Sequence, residues 1–353
     1  MRRTRFAFVG CFSSARRRGH GTGIAVFEVT PDDEWRAIHT VPTAENPSFL
    51  VADNDGRHLY AAHGDSPLVS SYEIESTGWL RELGRYDTGG SNGVHLALSP
   101  DQRHLIVASF TSGSIAVLPR NPDGTLGPRV CSLVLTGVPG PIAGEQTGPQ
   151  PHEVCIDPSG RHIVVPDRGT DRLHLLAFDP TTAQLTVAGP AHLSAPGSGP
   201  RHLLFHPSLP FMYVVDELSS HLTVYKHASA DAELCVVQSL STLPDGDDTP
   251  SAAAGIDFSR DTRFVYVSNR GHDSVASFPV LPNGMAGPPT FTKSGGAIPR
   301  FLRFAPDSDT LLVANQVSDN IIAFHADVGT GALTPTGQTI ITGSPSCIEF
   351  VVG

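Results

Sequence analysis

Seven polar residues stand at matching positions of an internal repeat, and their types could do acid–base chemistry on a small anion. They are His152, Arg168, Arg201, Glu217, Arg270, Arg300 and Gln316. Several arginines around one pocket bind a carboxylate or a phosphate, because the planar guanidinium forms paired hydrogen bonds with such groups. An imidazole, with an ordinary pKa of about 6.5, can take up or release a proton at neutral pH. A carboxylate among arginines has a depressed pKa and can accept a proton or orient a water molecule.

We predict that His152, Arg201, Glu217 and Arg270 are catalytic and that Arg168, Arg300 and Gln316 bind the substrate. Either His152 or Glu217 could be the general base. No Ser-His-Asp order accompanies a nucleophile elbow, and no H-x-H or H-E-x-x-H run marks a metal site. The sequence therefore predicts acid–base catalysis without a metal or another cofactor.

A hairpin that recurs along the chain positions these residues. In residues 151–173, PHEVCIDPSGRHIVVPDRGTDRL, an apolar strand runs into a turn at 157–160 and a second apolar strand returns. The repeats begin at Pro47, Gly93, Pro151, Pro200, Ala253, Pro299 and Pro345, at intervals of 46 to 58 residues. A third apolar strand and a weaker fourth follow each complete hairpin. Four antiparallel strands per repeat of this length are typical of a propeller blade.

The seventh repeat is truncated, and this predicts how the ring closes. Residues 347–352 supply only an innermost strand, while residues 6–10, 22–29 and 34–41 supply the other three. We therefore predict an all-β fold, one seven-bladed β-propeller domain over residues 1–353. Because a closed ring leaves no exposed sheet edge, we expect a monomer. The two tryptophans, Trp35 and Trp79, are not followed by aspartate, which argues against a WD-type propeller.

Composition excludes several classes of partner. The net charge of -11 makes a nucleic-acid or anionic-membrane surface unfavourable. No stretch approaches the roughly 18 apolar residues of a membrane span. The N-terminal apolar run, residues 6–9, is shorter than the core of a secretory signal. The five cysteines are odd in number and lack C-x-x-C spacing, so we expect reduced thiols in a cytoplasmic protein. The expected partner is a small anionic substrate, which the local cluster of arginines would bind.

The repeat arranges the candidate residues in two columns at one mouth of the propeller channel. The first column is Ser48, Val94, His152, Arg201, Ala254, Arg300 and Ser346, and the second, 16 residues later, is Gly64, Phe110, Arg168, Glu217, Arg270 and Gln316. A lone arginine at a strand end is usually a surface residue, and Arg201 with Glu217 could be a structural ion pair. Four such blades side by side favour a site. We expect His95 and His202 to point to the other side of their strands and to pack.

The segments PHEVCIDPSGRHIVVPDRGTDRL, GPRHLLFHPSLPFMYVVDELSS and FVYVSNRGHDSVASF resemble the seven-bladed lactonase family of bacterial 6-phosphogluconolactonases and fungal carboxy-cis,cis-muconate cyclases. ENPSFL and PRFLRFAPDSDTLLVANQ extend the resemblance over nearly the whole chain. The resemblance implies a cytoplasmic enzyme that opens or forms a lactone. It also implies that the family's active-site His, Arg, Glu and Arg correspond to His152, Arg201, Glu217 and Arg270.

Three features depart from the family pattern. Gly255 stands where many members have an acidic residue, the turn at 259–262 is not Pro-Asp-Gly, and Glu145-Gln146 replaces an Arg-Gln pair. The last pair lies in a Gly/Pro-rich insertion, residues 135–150. These differences bear on the substrate rather than on the fold.

The leading hypothesis is a hydrolase of a sugar lactone, 6-phosphogluconolactone. His152 or Glu217 would activate water, while Arg201 and Arg270 hold the phosphate and the developing oxyanion. A carboxy-cis,cis-muconate lactonising enzyme is the alternative, since an arginine cluster binds carboxylates equally well. A third hypothesis is a non-catalytic propeller that binds an anionic metabolite or a protein. Seven repeats argue against a six-bladed, calcium-dependent lactonase.

Overall fold

The chain forms a ring of seven antiparallel sheets. The computed structural model describes residues 5–30, 33–227 and 234–352. Over these residues the regular elements are 29 strands and one short 3-10 helix, Ala15–Arg17, and no helix among them is long and apolar enough to cross a membrane. The predicted all-β, seven-bladed propeller is confirmed. Residues 1–4, 31–32, 228–233 and 353 of the expected domain lie outside the described residues.

The strands follow one another in chain order. The first are β1 (Arg5–Cys11), β2 (Ile24–Val29) and β3 (Trp35–Val41). Blade 1 holds β4 (Pro47–Ala52), β5 (His58–His63), β6 (Leu68–Ile74) and β7 (Leu80–Asp87); blade 2 holds β8 (Gly93–Leu98), β9 (His104–Ser109), β10 (Ser114–Pro119) and β11 (Cys131–Val134). Blade 3 holds β12 (Cys155–Ile156), β13 (His162–Asp167), β14 (Arg172–Asp179), β15 (Gln184–Val187) and β16 (His192–Leu193).

The remaining blades have the same design. Blade 4 holds β17 (Pro200–Phe205), β18 (Phe211–Asp216), β19 (His221–His227) and β20 (Leu234–Ser241); blade 5 holds β21 (Ala252–Phe258), β22 (Phe264–Arg270), β23 (Ser274–Pro279) and β24 (Thr290–Lys293). Blade 6 holds β25 (Pro299–Phe304), β26 (Thr310–Asn315), β27 (Asn320–Ala326) and β28 (Leu333–Ile341). The last strand, β29 (Pro345–Val352), joins β1, β2 and β3 in blade 7.

Blade 7 closes the ring by pairing the two ends of the chain. Its strand order is β29-β1-β2-β3, with β29 innermost. Ala7 lies opposite Phe350 and Val9 opposite Ile348 in an antiparallel register. The predicted closure by three N-terminal strands and one C-terminal strand is therefore confirmed.

Short polar side chains close the hairpin turns from within. Asp157 Oδ1 accepts hydrogen bonds from the backbone N–H groups of Arg161 and His162 at 3.1 and 3.0 Å. Asp53 forms the same pair of bonds in blade 1. Gly160, with a φ of 70°, adopts a conformation that residues with a Cβ rarely take. Because such bonds are local, the sequence near each turn is enough to specify the hairpin.

Apolar burial between neighbouring blades holds the ring together. Every residue of β5 and β9 is buried, since these second strands are covered on both faces. The buried hydroxyls of Tyr60, Tyr213 and Tyr266 donate to the carbonyls of Gly124, Gly284 and Gly331 at 3.0, 2.8 and 3.1 Å. Each of these carbonyls belongs to the next blade, so the tyrosines join adjacent blades while satisfying their own polar atoms.

A β-bulge at the same position interrupts the innermost strand in five blades. In blade 4 the pairing register shifts between Pro200 and His202, which leaves Arg201 as the extra residue. The same shift occurs between Pro47 and Phe49, Gly93 and His95, Pro299 and Phe301, and Pro345 and Cys347. In blade 5 the register instead shifts between Ala253 and Ile256. A bulge breaks the alternation of side chains between the two faces of a strand. Two consecutive side chains can therefore face the channel at this level.

Blade 3 has the least regular inner strand. Beyond β12, a single bridge between Pro151 and Asp167 continues the pairing. The N–H of His152 donates to the carbonyl of Pro166 at 2.9 Å. The N–H of Gln150, the last residue of the insertion, donates to Asp167 at 2.7 Å. The backbone that carries His152 is thus held by the insertion as well as by its own blade.

Candidate active site

A cavity of about 340 Å³ lies at one mouth of the central channel. Six of the seven predicted residues line it, namely His152, Arg168, Arg201, Glu217, Arg270 and Arg300. They come from blades 3 to 6, which the ring places in succession. The volume is within the range of small-molecule sites. The structure therefore assembles the arc of charged residues that the repeat predicts.

Gln316 is the predicted residue that the described cavity lining does not include. It follows β26, is half-buried, and donates its backbone N–H to the carbonyl of Ile298 at 2.9 Å. Beside Arg300 the lining is supplied by Phe12, whose ring centre is 5.1 Å from Arg300 Cζ. An N-terminal segment outside the repeat thus contributes to the lining beside Arg300. The part of Gln316 in substrate binding stays a prediction.

Glu217 is the centre of an ion-pair network inside the cavity. Its Oε1 accepts a hydrogen bond from Arg168 Nε at 2.7 Å. Its Oε2 lies 2.9 Å from Arg201 Nε and 3.1 Å from Arg270 Nη2, although the Arg201 contact is not aligned as a hydrogen bond. One buried carboxylate is therefore shared by arginines from three successive blades.

This network determines the charge of Glu217. Burial disfavours the ionised carboxylate, but the positive charges of Arg270, Arg201 and Arg168 outweigh that cost and hold the pKa of Glu217 well below its ordinary value. A carboxylate with so low a pKa has little affinity for a proton. Glu217 is therefore better suited to holding the arginines in place than to acting as a general base.

The insertion, residues 135–150, wraps around Arg168. Arg168 Nη1 donates to the carbonyl of Glu145 at 3.0 Å and to Gln150 Oε1 at 2.9 Å, and Nη2 pairs with the Glu145 carboxylate. The amide of Gln146 donates to the carbonyl of Arg168 at 2.8 Å and to Asp171 Oδ1 at 2.7 Å. The insertion thus fixes one wall of the cavity and uses most of the donors of Arg168.

The innermost strand of blade 5 makes room for two arginines. Its residues 252–255 read AAAG. Arg201 Nη1 donates to the carbonyl of Ala254 at 2.8 Å, and Arg270 reaches the carbonyls of Ala252 and Ala253 at 3.2 and 3.3 Å. A Cβ at Gly255 would lie 2.8 Å from the backbone N of Leu302. The glycine at the departure from the family pattern is therefore required by close packing against blade 6.

His152 lines the cavity as a neutral imidazole. Burial lowers its pKa well below the ordinary value, and the positive charges of Arg201 and Arg300 lower it further. Its ring packs edge-on against Phe110 and His202, with centres 5.7 and 5.1 Å apart. Its buried Nδ1 has no hydrogen-bond partner among the described residues. A neutral imidazole is the form that can accept a proton.

The structure corrects the expectation that His202 packs away from the channel. His202 lines the cavity next to Arg201, because the bulge at Arg201 lets consecutive residues face the same side. Its ring lies 5.8 Å from that of His95. Strict alternation along the strand could not reveal this, and the sequence carries no separate signal for the bulge.

Arg17 is a second cavity residue that sequence reasoning missed. It lies in the 3-10 helix between β1 and β2, and its Nε and Nη2 donate to the Asp65 carboxylate at 2.7 Å each. Arg17 and Phe12 both line the cavity. The segment is outside the repeat, so register could not align it with the columns.

A neutral polar layer lies next to His202. Glu153 Oε2 accepts a hydrogen bond from the N–H of Leu203 at 2.6 Å, and its Oε1 is 3.5 Å from His95 Nε2. Burial raises the pKa of Glu153 to about 8 and lowers the pKa of His95 to about 3. At neutral pH the pair is therefore a carboxylic acid beside a neutral imidazole and not a salt bridge.

Arginines outnumber carboxylates at the cavity. Five arginines line it, namely Arg17, Arg168, Arg201, Arg270 and Arg300. Their carboxylate partners among the described residues are three: Glu217, Glu145 and Asp65. Burial and the neighbouring charges of Arg201 and Arg270 lower the pKa of Arg300. The cavity therefore has a surplus of two positive charges that an anionic ligand would neutralise.

Two other kinds of active site, a serine nucleophile elbow and a metal site, can be compared with the described residues. Residues 89–93 read GGSNG and match the letters of the G-x-S-x-G motif, but they connect β7 to β8. A nucleophile elbow instead joins a strand to a helix. No group of three or more His, Cys, Asp or Glu side chains within the described ranges could hold a metal ion.

Comparisons with known proteins agree with this architecture. The model of the family described as Lactonase, 7-bladed beta-propeller, matches residues 6–350. The 6-phosphogluconolactonase of Bacillus subtilis (strain 168) is 31% identical over 354 residues, covering 98% of this chain and 97% of that protein. These matches confirm the resemblance that the sequence segments indicate.

Two solved structures extend the comparison to three dimensions. The periplasmic gluconolactonase of Pseudomonas aeruginosa is 29% identical with a TM-score of 0.89, and the match covers 99% of both chains. A Bacteroides fragilis protein, solved as a proposed 6-phosphogluconolactonase, is also 29% identical, with a TM-score of 0.90 over 99% of this chain and 98% of that chain. The relatives thus include enzymes named for a phosphorylated and for an unphosphorylated lactone.

Proposed function

The chain belongs to the seven-bladed β-propeller lactonase family, and from this premise we propose that it hydrolyses 6-phosphogluconolactone to 6-phosphogluconate. The observation that carries the proposal is the surplus of positive charge in the cavity. A phosphate monoester bears about 1.5 to 2 negative charges at neutral pH, which matches that surplus. An unphosphorylated lactone is neutral and would leave the arginines uncompensated.

We assign the general base to His152. Water adds to the lactone carbonyl carbon while His152 takes its proton, and the carbonyl oxygen becomes an oxyanion facing Arg201 and Arg270. The bond from that carbon to the ring oxygen then breaks, and the ring oxygen receives the proton from the imidazolium. Glu217 stays ionised throughout and keeps the arginines in position.

Substrate binding would itself prepare His152 for this step. In the free cavity Arg201 and Arg300 disfavour an imidazolium, since they lower the pKa of His152. A bound phosphate would offset those charges and so raise the proton affinity of the imidazole. Catalysis is therefore coupled to the anionic part of the substrate.

The test is a metal-free assay of purified protein with freshly generated 6-phosphogluconolactone, corrected for spontaneous hydrolysis. We expect turnover by the wild type, and kcat about 100- to 10,000-fold lower in His152→Ala, because general-base catalysis contributes that much. His325→Ala, at an exposed position outside the cavity, is the matched control and should equal the wild type.

Other outcomes would redirect the proposal. Unchanged kcat in His152→Ala would remove His152 as the base. No turnover by the wild type would contradict the lactonase assignment for this substrate, and an assay with carboxy-cis,cis-muconate would then test the lactonising alternative. No turnover of either substrate would favour a non-catalytic, anion-binding propeller. Loss of activity after chelator treatment would contradict the cofactor-free mechanism.

A further inference from the structure

Two of the five cavity arginines stand apart from the Glu217 network. Arg300 Cζ lies 5.1 Å from the centre of the Phe12 ring, and Arg17 Cζ lies 5.4 Å from the same centre. Both arginines line the cavity. Two guanidinium groups therefore pack against one aromatic ring, which attracts cations through its face, and the charge of Arg17 is one of the causes that lower the pKa of Arg300.

Arg17 is fixed in place but keeps free donors. Its Nε and Nη2 bind both oxygens of Asp65, and Nη2 also donates to Asn92 Oδ1 at 3.2 Å. Nη1 makes no hydrogen bond with any of the described residues. Because Asp65 and Asn92 hold the guanidinium from one side, its remaining N–H groups are available to a ligand in the cavity.

The positive charge of Arg300 is compensated by fewer protein groups than that of Arg17. Within the described ranges its side chain forms no hydrogen bond and no ion pair closer than 4.0 Å. It therefore brings a guanidinium to the cavity without a carboxylate of its own. Like charges in one partly buried place are unfavourable unless an anion is bound between them.

The other three arginines are already committed. Arg168 binds Glu217, Glu145 and Gln150. Arg201 and Arg270 share Glu217 and also donate to carbonyls of β21. The hydrogen-bond donors that remain on Arg201 and Arg270 are sufficient for a carbonyl oxygen that gains negative charge during the reaction. The pair around Phe12 is the part of the lining best able to meet a doubly charged group.

The ring also places His152 and Arg300 where they can contact different groups of one substrate. His152 belongs to blade 3 and Arg300 to blade 6, three blades later in a ring of seven, so they face each other across the channel. In a 1,5-lactone phosphorylated at its terminal carbon, the ester carbonyl and the phosphate are separate groups on either side of the ring oxygen. One such molecule can therefore place its carbonyl at His152 and its phosphate on the far wall.

We propose that Arg17 and Arg300, arranged around Phe12, form a phosphate subsite that selects a terminally phosphorylated lactone over the unphosphorylated one. This inference rests on the proposed hydrolase function and adds the residues that decide its specificity. It transfers phosphate recognition from Arg201 and Arg270, which are left to the reacting carbonyl. It also gives the N-terminal segment, which lies outside the repeat, a part in substrate choice.

The test compares two substrates in three variants. We would measure kcat and KM for 6-phosphogluconolactone and for glucono-1,5-lactone in wild type, Arg17→Met, Arg300→Met and Arg16→Met. Arg16 is the matched control because it belongs to the same 3-10 helix but is exposed and outside the cavity lining. Thermal unfolding of each variant would be recorded alongside.

We expect kcat/KM for the phosphorylated lactone to fall about 10- to 100-fold in Arg17→Met and in Arg300→Met, mainly through KM. For the unphosphorylated lactone, kcat/KM should fall less than about threefold in either variant, and Arg16→Met should match the wild type with both substrates. Equal losses for both substrates, or no loss for either, would overturn the subsite. If a methionine variant unfolds, Arg17→Lys and Arg300→Lys would replace it, with an intermediate loss confined to the phosphorylated substrate.

Product binding separates this inference from the proposed function. Calorimetry with 6-phosphogluconate and gluconate does not need turnover. A wild type that hydrolyses neither lactone, yet binds 6-phosphogluconate more tightly than gluconate and loses that preference in Arg300→Met, would refute the hydrolase and support the subsite. A wild type that hydrolyses the phosphorylated lactone, but whose arginine variants keep the binding preference, would support the hydrolase and refute the subsite.

Discussion

Glu217 and Glu153 are two buried glutamates in adjacent blades of one channel, and they have opposite charge states. Glu217 is 8% exposed and Glu153 is 9% exposed. The pKa of Glu217 is held well below its ordinary value, whereas the pKa of Glu153 is raised to about 8. Burial alone therefore does not determine whether a carboxyl group in this channel is ionised.

The neighbours of the two carboxyl groups explain the difference. Glu217 lies within 2.7 to 3.1 Å of nitrogen atoms from three arginines. Glu153 accepts one backbone N–H and faces the neutral ring of His95. A buried charge is stable only where opposite charges and hydrogen bonds replace the lost water. The channel thus has a charged level, formed by Glu217 and its arginines, that can recognise an anion. Beside it is a neutral level, the polar layer of Glu153 and His95.

The neutral level also bounds the site with aromatic rings. The rings of Phe49 and His95 are 4.1 Å apart, and those of Phe49 and Phe301 are 6.4 Å apart. Phe49, His202 and Phe301 all line the cavity. Because these groups carry no charge at neutral pH, they limit the dielectric screening of the arginines. The contrast between the levels strengthens electrostatic recognition at the mouth.

Replacing Glu217 with Gln should have the largest effect, since it removes the charged member of the comparison. Three arginines would then share no carboxylate at the site centre. We expect the free energy of unfolding to fall by about 3–5 kcal/mol. We also expect kcat/KM for the lactone to fall about 100- to 1,000-fold, because the groups that stabilise the oxyanion lose their positioning. Chemical denaturation and steady-state kinetics measure the two effects.

A stable and active Glu217→Gln protein would show that the arginines do not depend on the carboxylate. Adding the proposed product, 6-phosphogluconate, provides a control. If surplus positive charge is the cause of the instability, this anion should restore more stability to the variant than to the wild type.

Replacing Glu153 with Gln should have an intermediate effect that depends on pH. The folded protein keeps Glu153 protonated up to about pH 8, while the unfolded chain ionises near 4.5. Its contribution to stability is therefore fully present below about pH 4.5 and is lost as the pH rises through 8. Each pH unit in that window costs at most about 1.4 kcal/mol.

Glu153→Gln removes this titration, so its free energy of unfolding should decrease less than that of the wild type between about pH 5 and pH 9. Denaturant unfolding at several pH values measures the difference. Parallel curves for the two proteins would contradict the neutral state of Glu153. Asp216, whose pKa burial raises to about 7, titrates in both proteins and cancels from the comparison.

Replacing Glu145 with Gln should have the smallest effect on stability, and it adds a solvent-exposed carboxylate to the comparison of the two buried ones. Its side chain pairs with Arg168 but is 55% exposed. Water already screens such a pair, so we expect a change in the free energy of unfolding below about 1 kcal/mol. A loss as large as that of Glu217→Gln would show that exposure does not rank these carboxylates. Urea denaturation under identical conditions gives both values.

The fold could be predicted because residues close together in sequence specify each repeat. The strand expected at 22–29 is observed as Ile24–Val29, and the one expected at 34–41 as Trp35–Val41. Turn residues such as Asp157 bond to the backbone a few positions away. These interactions act within one hairpin, so their pattern is readable without knowledge of distant contacts.

The candidate site could be predicted only where it follows the repeat. Register placed Arg201 and Glu217 in neighbouring columns, and the structure brings their side chains into contact. It could not place Arg17, which is outside the repeat, or His202, which a bulge turns toward the cavity. It also placed Gln316 in the site, whereas Gln316 is not among the residues that line the cavity.

By itself the sequence determined the blade, the number of blades, the closure and the chemical types that face the mouth. These depend on periodic apolar residues and turn residues whose interactions are short in range along the chain. The tertiary structure alone decided which carboxyl group is charged, which arginines remain uncompensated and which N-terminal residues enter the cavity. Those properties depend on burial and on distances between groups far apart in sequence, such as Arg17 and Arg300 around Phe12.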